Sequence, residues 1–326
     1  MYQEFYQLTR NPFEMSPDPH FYFPTPLHNE ALAILFYGVQ MRKGFVVVTG
    51  EVGTGKTLLV RCLLDGLNRN NIAFAFVYNP VLSVNEFLTH VLTDFGISTG
   101  TCSKVDMLAR LNNYLLERCS RGETTALVID EAQLLSWELL EEIRLLTNLE
   151  TTEHKLLQIV VAGQPELDRK LDSHDLRQLK QRVAMRCQLE ALREEDLPGY
   201  IQKRLELAGA NSQAQLIFPE ETIAAVYQFS RGIPRLINTI CENALISGFS
   251  QQAQQVSAET IQEVARDLRL DQISNPPEAT KLEREEEPRE EGNQVVERLM
   301  GVIEQRDNNL RRMSRETGRK SGTRNR

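Results

Sequence analysis

The sequence predicts an α/β protein: a parallel sheet of five strands with helices on both faces, followed by a small all-helical domain. Three observations predict it. Short apolar runs rich in β-branched or aromatic residues recur at 45–49, 72–78, 125–130, 156–162 and 185–190. Helical stretches at about 56–69, 83–95, 104–120, 136–149 and 173–182 alternate with them, so successive strands are joined by crossovers and lie parallel. Beyond about residue 192 the strand signal stops and four helical patterns follow. A chain of 326 residues is long enough for a substantial core and two domains.

The elements follow in order. Residues 1–26 form an arm rich in aromatics, with prolines at 12, 17, 19, 24 and 26. Those prolines forbid a helix there, and the aromatic rings require the arm to lie on the body of the protein. A helical pattern opens the core, residues 27–192, at about Leu27 to Met41. The helical domain, 193–272, reads as "REEDLPGYIQKRLELAG", "PEETIAAVYQFS", "GIPRLINTICENALISGFS" and "SAETIQEVARDLRL", with Pro219 and Ser257 suited to helix starts. Residues 273–326 are a charged tail, acidic first and basic over the last twenty residues, too polar to bury a core; the sequence predicts it mostly disordered. Within it "QVVERLMGVIEQ" has the pattern of a short amphipathic helix.

Composition excludes several classes. A formal charge of −8 argues against attraction of nucleic acid by the molecule as a whole. Cys62, Cys102, Cys119, Cys187 and Cys241 are scattered, odd in number and without a CxxC pair, which reads as reduced thiols and not as a disulfide frame or zinc site. The start, MYQEFYQLTR, lacks the basic and apolar regions of a signal peptide, and no apolar run is long enough to span a bilayer. The expectation is a cytoplasmic protein, with peripheral attachment at the inner membrane left open.

The strongest local signal is Gly50-Glu51-Val52-Gly53-Thr54-Gly55-Lys56-Thr57-Leu58, which fits G-x-x-x-x-G-K-[ST] between a strand and a helix. Glycines let main-chain amides curl around phosphate oxygens, and the helix start adds partial positive charge. Lys56 is expected to neutralise β- and γ-phosphates, and Thr57 to offer its hydroxyl to Mg²⁺. Against this stands the plain alternative of a glycine turn, which the flanking strand and helix disfavour.

A second signal is "TALVIDEAQLL", which puts Asp130 and Glu131 at the end of an apolar strand. Two carboxylates there are costly unless they meet a cation. Asp130 is expected to hold Mg²⁺ with Thr57, and Glu131 to act as general base on water. Alone, a solvated strand end would be the better explanation of the pair; with the phosphate loop upstream, ATP hydrolysis explains both.

These motifs, with "LLQIVVAGQPEL" ending in Gln164 and "RGIPRLIN" in the helical domain, resemble the AAA+ ATPases, a P-loop NTPase family. "NPFEMSPDPHFYF", "HNEALAILFYGV" and "GEVGTGKT" resemble the branch typified by the ExeA/GspA secretion ATPases, whose relatives accompany pilus, exopolysaccharide and exosortase genes. The resemblance covers roughly residues 1–270. It implies a five-stranded core with a helical lid, ATP with Mg²⁺ between them, and oligomers in rings or helices. Residue by residue, it implies that Gln164 is the sensor 1 residue and that Arg235, after Pro234, is the sensor 2 arginine. It also implies that Asn11, Pro12, Phe13 and His28 lie near adenine. Arg182, then Arg177, is implied as an arginine finger acting on a neighbour; Arg186 alternates with apolar residues and reads as facing out of the sheet. Proteins of that branch commonly continue into a membrane segment and a peptidoglycan-binding domain, whereas the tail here reads as neither.

Three functions compete at this stage. The first is an ATP-driven assembly factor of a secretion, pilus or exopolysaccharide export system. The second is a DNA-acting regulator, since the branch also resembles transposition ATPases that form ATP-dependent filaments on DNA. The third is a nucleotide-gated binding module with little turnover, which the intact Asp130 and Glu131 disfavour.

Overall fold

The computed structural model describes residues 1–100, 102–210 and 214–270. They belong to a compact unit spanning 1–274; a second unit, 275–326, lies outside the described residues, as do the tail and its amphipathic stretch. In chain order the elements are α1 (Tyr2–Phe5), α2 (Pro26–Gln40), β1 (Phe45–Gly50), α3 (Lys56–Arg69), β2 (Ala73–Val77), α4 (Val84–Asp94) and α5 (Lys104–Ser120). There follow β3 (Thr125–Ile129), α6 (Trp137–Leu146), β4 (Gln158–Gly163), α7 (Pro165–Leu171), α8 (Arg177–Lys180) and β5 (Val183–Leu189). The helical region adds α9 (Leu197–Leu207), α10 (Ala214–Ile217), α11 (Glu220–Ser230), α12 (Pro234–Ser250) and α13 (Ala258–Asp267).

The strands form one sheet in the order β2-β3-β4-β1-β5, and every pairing is parallel. β1, β3 and β4 are buried along their whole length, as expected of strands covered on both faces. One apolar cluster, with Val47, Leu127, Ile159, Leu111 and Leu139, fills one side of the sheet. A second, with Leu35, Val48, Leu59, Leu63 and Val160, fills the other. Alternate residues of the same strand serve opposite clusters, which is the period-two geometry of a strand acting within a continuous apolar run. β5 is the edge strand beside β1, and its alternating exposure shows it.

Local chemistry explains the helix starts. Ser83 and Ser103 cap α4 and α5 through reciprocal capping boxes with Glu86 and Asp106. Ser136 and Ser257 accept from backbone amides at the heads of α6 and α13. Two expectations need correction. The helix expected over 173–182 is a turn at 174–176 followed by the single-turn α8, while α7 lies upstream at Pro165–Leu171. The arm is not free of helix: α1 forms ahead of the first proline, and a 3₁₀ turn spans Pro19–Phe21.

The arm is built into the helical region. Phe13 is fully buried and meets Phe218 edge-to-face with ring centroids 5.9 Å apart. Buried Arg204 donates to the Pro12 carbonyl at 2.6 Å and to the Tyr200 hydroxyl at 2.9 Å, and its guanidinium lies over the Phe21 ring. Its charge is thereby spent on hydrogen bonds and π-faces, which is what makes a buried arginine tolerable. Phe13→Ala is expected to cost about 3–5 kcal/mol of stability by chemical denaturation; a loss under about 1 kcal/mol would mean that the arm is not an integral part of the core.

Candidate active site

The candidate site lies at the C-terminal ends of the strands. β4 lies between β1 and β3, and the register sets Val47, Val161 and Ile129 side by side. The residues that follow those strands therefore meet: the loop after β1, the acidic pair after β3 and Gln164 after β4.

The loop from Gly50 to Lys56 turns through Gly53 (φ +82°) and Gly55 (φ +102°), a left-handed conformation that L side chains rarely adopt. At Gly53 a Cβ would also stand 2.8 Å from Arg235 Cβ and 2.9 Å from Ile233 Cγ2, so the helical region presses directly on the loop. The loop carbonyls are engaged by the protein's own donors. Lys56 Nζ donates to Gly50 O at 2.7 Å and Glu51 O at 2.8 Å. The Thr54 hydroxyl donates to Glu51 O at 2.9 Å, the Arg235 amide to Gly53 O at 3.2 Å, and His28 Nε2 lies 3.2 Å from Thr54 O. Burial pushes the Lys56 ammonium down, and the carboxylates of Glu131, Asp130, Glu51 and Glu166 hold it up against that effect. Thr57 and Leu58 continue into the first turn of α3, whose amides have no partner within the helix.

Asp130 is 3% exposed, and its amide donates to Val77 O at 2.9 Å. Burial pushes its carboxyl up; the Thr57 hydroxyl and the Glu131 amide, which donate to it, oppose that shift. A buried carboxylate paired with a hydroxyl, with Lys56 as the nearby cation, is an all-oxygen donor set suited to Mg²⁺. No cluster of three or more metal-ligating side chains occurs among the described residues.

Glu131 adopts φ +51° and ψ +36°, a left-handed backbone that a glutamate pays roughly 1 kcal/mol or more to hold. Its carboxylate accepts from Gln133 Nε2 at 2.5 Å and, at the outer limit of a hydrogen bond, from Gln164 Nε2 at 3.5 Å. The Gln164 amide in turn donates to Gln133 Oε1 at 3.0 Å. Gln133 therefore ties the acidic strand end to the tip of β4. Sequence reasoning missed it; its position two residues after Glu131 was the one available signal.

The remaining expected residues divide. Arg235 sits at the second position of α12, after Pro234, against the loop, and its guanidinium has no carboxylate in ion-pair range among the described residues. His28 reaches the loop, but through Thr54. Asn11, Pro12 and Phe13 are turned into the helical region: Asn11 Nδ2 donates to Glu242, Asn11 Oδ1 accepts from the Phe13 amide, and the Phe13 ring has no exposed face. An adenine contact through that ring is thereby corrected to a core role. Arg177 and Arg182 are not brought to the site. Val183 pairs with Phe45 at the start of β1, so these arginines lie at the opposite end of a strand roughly 17 Å long. They line an open polar groove with Arg144, Gln178 and Gln181, and Arg182 donates to Asn148 Oδ1 at 2.9 Å. Arg186 pairs with Asp168 of α7 at 3.1 Å.

The AAA domain family matches residues 39–171, the stretch that carries the loop, the acidic pair and Gln164. General secretion pathway protein A of Aeromonas hydrophila is 41% identical over 257 residues, 78% of this chain. This chain belongs to the AAA+ family, in the general secretion pathway A type. It spans 46% of that relative's length. Among solved structures, Cdc6p from Pyrobaculum aerophilum matches with a TM-score of 0.62 at 16% identity, over 80% of this chain and 71% of its own. Drosophila ORC bound to DNA matches with a TM-score of 0.56 at 18% identity, over 90% and 80%. At such identities these structures attest to the AAA+ fold alone. No described helix is long and apolar enough to cross a membrane.

Proposed function

We propose that this AAA+ protein hydrolyses ATP to ADP and phosphate as an assembled oligomer, in the service of a cell-envelope secretion, pilus or exopolysaccharide export system. The observation that carries the catalytic part is the convergence of Lys56, Asp130, Glu131 and Gln164 at adjoining strand ends. Lys56 pairs with the phosphates, and residues 50–58 offer main-chain amides to them. Thr57 and Asp130 hold Mg²⁺, which neutralises charge on the phosphate oxygens when bound. Glu131 accepts the proton of the attacking water, and Gln164 and Gln133 fix where its carboxylate points. Arg235 adds positive charge from the helical region.

Arg182, with Arg177 as second choice, is too far from its own loop to serve it and would act on the nucleotide of a neighbouring copy. Arg182→Ala is expected to lower turnover about a hundredfold. Mixing it with Glu131→Gln subunits, which keep the arginine but lack the base, should restore phosphate release. Absence of rescue at any ratio would count against an arginine shared between copies.

The export role rests on the 41% identical secretion relative. With that role goes a cytoplasmic location, peripheral attachment at the inner membrane being left open. A pull-down with Glu131→Gln in ATP tests it: capture of envelope export components supports the role, while ATP-dependent binding to duplex DNA that falls steeply with salt would replace it with the DNA-acting reading.

A further inference from the structure

His28 is expected near adenine by family resemblance, yet both of its ring nitrogens are already engaged elsewhere. Thr25 caps α2, its hydroxyl oxygen accepting from the His28 amide at 3.2 Å. The same hydroxyl lies 2.7 Å from His28 Nδ1. His28 is buried, and burial pushes its imidazole down, towards the neutral form. Nε2 lies 3.2 Å from the Thr54 carbonyl, which can only accept, so in the neutral imidazole the proton sits on Nε2 and Nδ1 accepts from the Thr25 hydroxyl. The chain of bonds thus runs from Thr25 through the ring to the phosphate loop.

The Thr54 carbonyl shares a planar trans peptide with the Gly55 amide, so the two point in opposite directions. Fixing the carbonyl towards His28 turns the Gly55 N–H the other way, to the far side of its peptide plane. Gly55 has φ +102° and precedes the first residue of α3, so little in its own conformational preference would keep that plane from flipping. We propose that Thr25 and His28 are positioning residues that hold the Thr54–Gly55 peptide with its amide presented to the phosphates of the nucleotide, and that His28 does not read the base. This rests on the nucleotide reading of the loop.

The decisive probes carry phosphates without a base, or a base without phosphates. Affinity for Mg-ATP, Mg-tripolyphosphate and adenosine is measured by calorimetry on the full chain. His28→Leu is expected to weaken ATP and tripolyphosphate alike, by about tenfold, the worth of one hydrogen bond in the upper part of its range. Adenosine affinity should not change. His28→Gln, whose amide nitrogen can replace Nε2, is expected to stay within about threefold of wild type, and Thr25→Val to fall between the two. If His28→Leu fails to fold, Thr25→Val carries the test, because it removes the hydroxyl that holds Nδ1 and keeps the imidazole. Loss of ATP affinity with tripolyphosphate unchanged would overturn the proposal in favour of a base contact, and unchanged affinity for both would overturn it outright. If wild type itself binds neither ATP nor tripolyphosphate, the nucleotide reading falls and takes this proposal with it.

Discussion

Glu131→Gln is expected to bind ATP as tightly as wild type and to release phosphate about a thousandfold more slowly. The substitution is isosteric, and the new carbonyl oxygen can still accept from Gln133, which now contacts the carboxylate at 2.5 Å. The left-handed backbone at position 131 and the neighbouring Asp130 need not move. What disappears is basicity, and general-base contributions of about 10²–10⁴ set the scale of the loss. Phosphate release with saturating Mg-ATP, beside equilibrium binding of the same nucleotide, separates the two effects. Turnover within tenfold of wild type would mean that some other group takes the proton.

Lys56→Ala should fail one step earlier, at binding. The ammonium does two things: it pins the carbonyls of Gly50 and Glu51, and it balances Glu131, Asp130 and Glu51. Truncation removes the ammonium from the buried Gly50 carbonyl and leaves a site dominated by carboxylates, which repels a triphosphate. Affinity for Mg-ATP is expected to fall at least about a hundredfold, since a charge-assisted contact to phosphate and the shape of the loop are lost together. Calorimetry reads it directly, and unchanged affinity would remove Lys56 from the site. The two variants thus differ in kind: one keeps ligand and loses chemistry, the other loses ligand.

Legibility in the sequence followed the range of the interactions. The loop from Gly50 to Thr57 was readable because its strand, glycines, lysine and helix are contiguous. Asp130 was readable through the phosphate loop upstream, since a carboxylate closing a run such as TALVI also suits a solvated strand end. The helix at 165–171 carries a clear local signal, proline first, then Glu166 and Asp168, then Arg169 and Lys170. Phe13 could not be decided between an adenine contact and packing of the arm. Whether a buried ring faces a ligand or a core depends on Phe218, more than two hundred residues away in sequence. The same holds for His28 and Thr54, and for Gln133 and Gln164, pairs that only the folded chain brings together.

The helical region grips the phosphate loop at Gly53 through the amide of Arg235, not through its guanidinium. Main-chain atoms are indifferent to the residue identity around them, so exchanging the side chain at 235 removes a charge but leaves the physical linkage between the two halves in place. Any strain that loop rearrangement sends across this joint will persist in a charge-neutral variant. Electrostatic and mechanical contributions to coupling are therefore genetically separable here, a separation that a joint made by side chains would not permit.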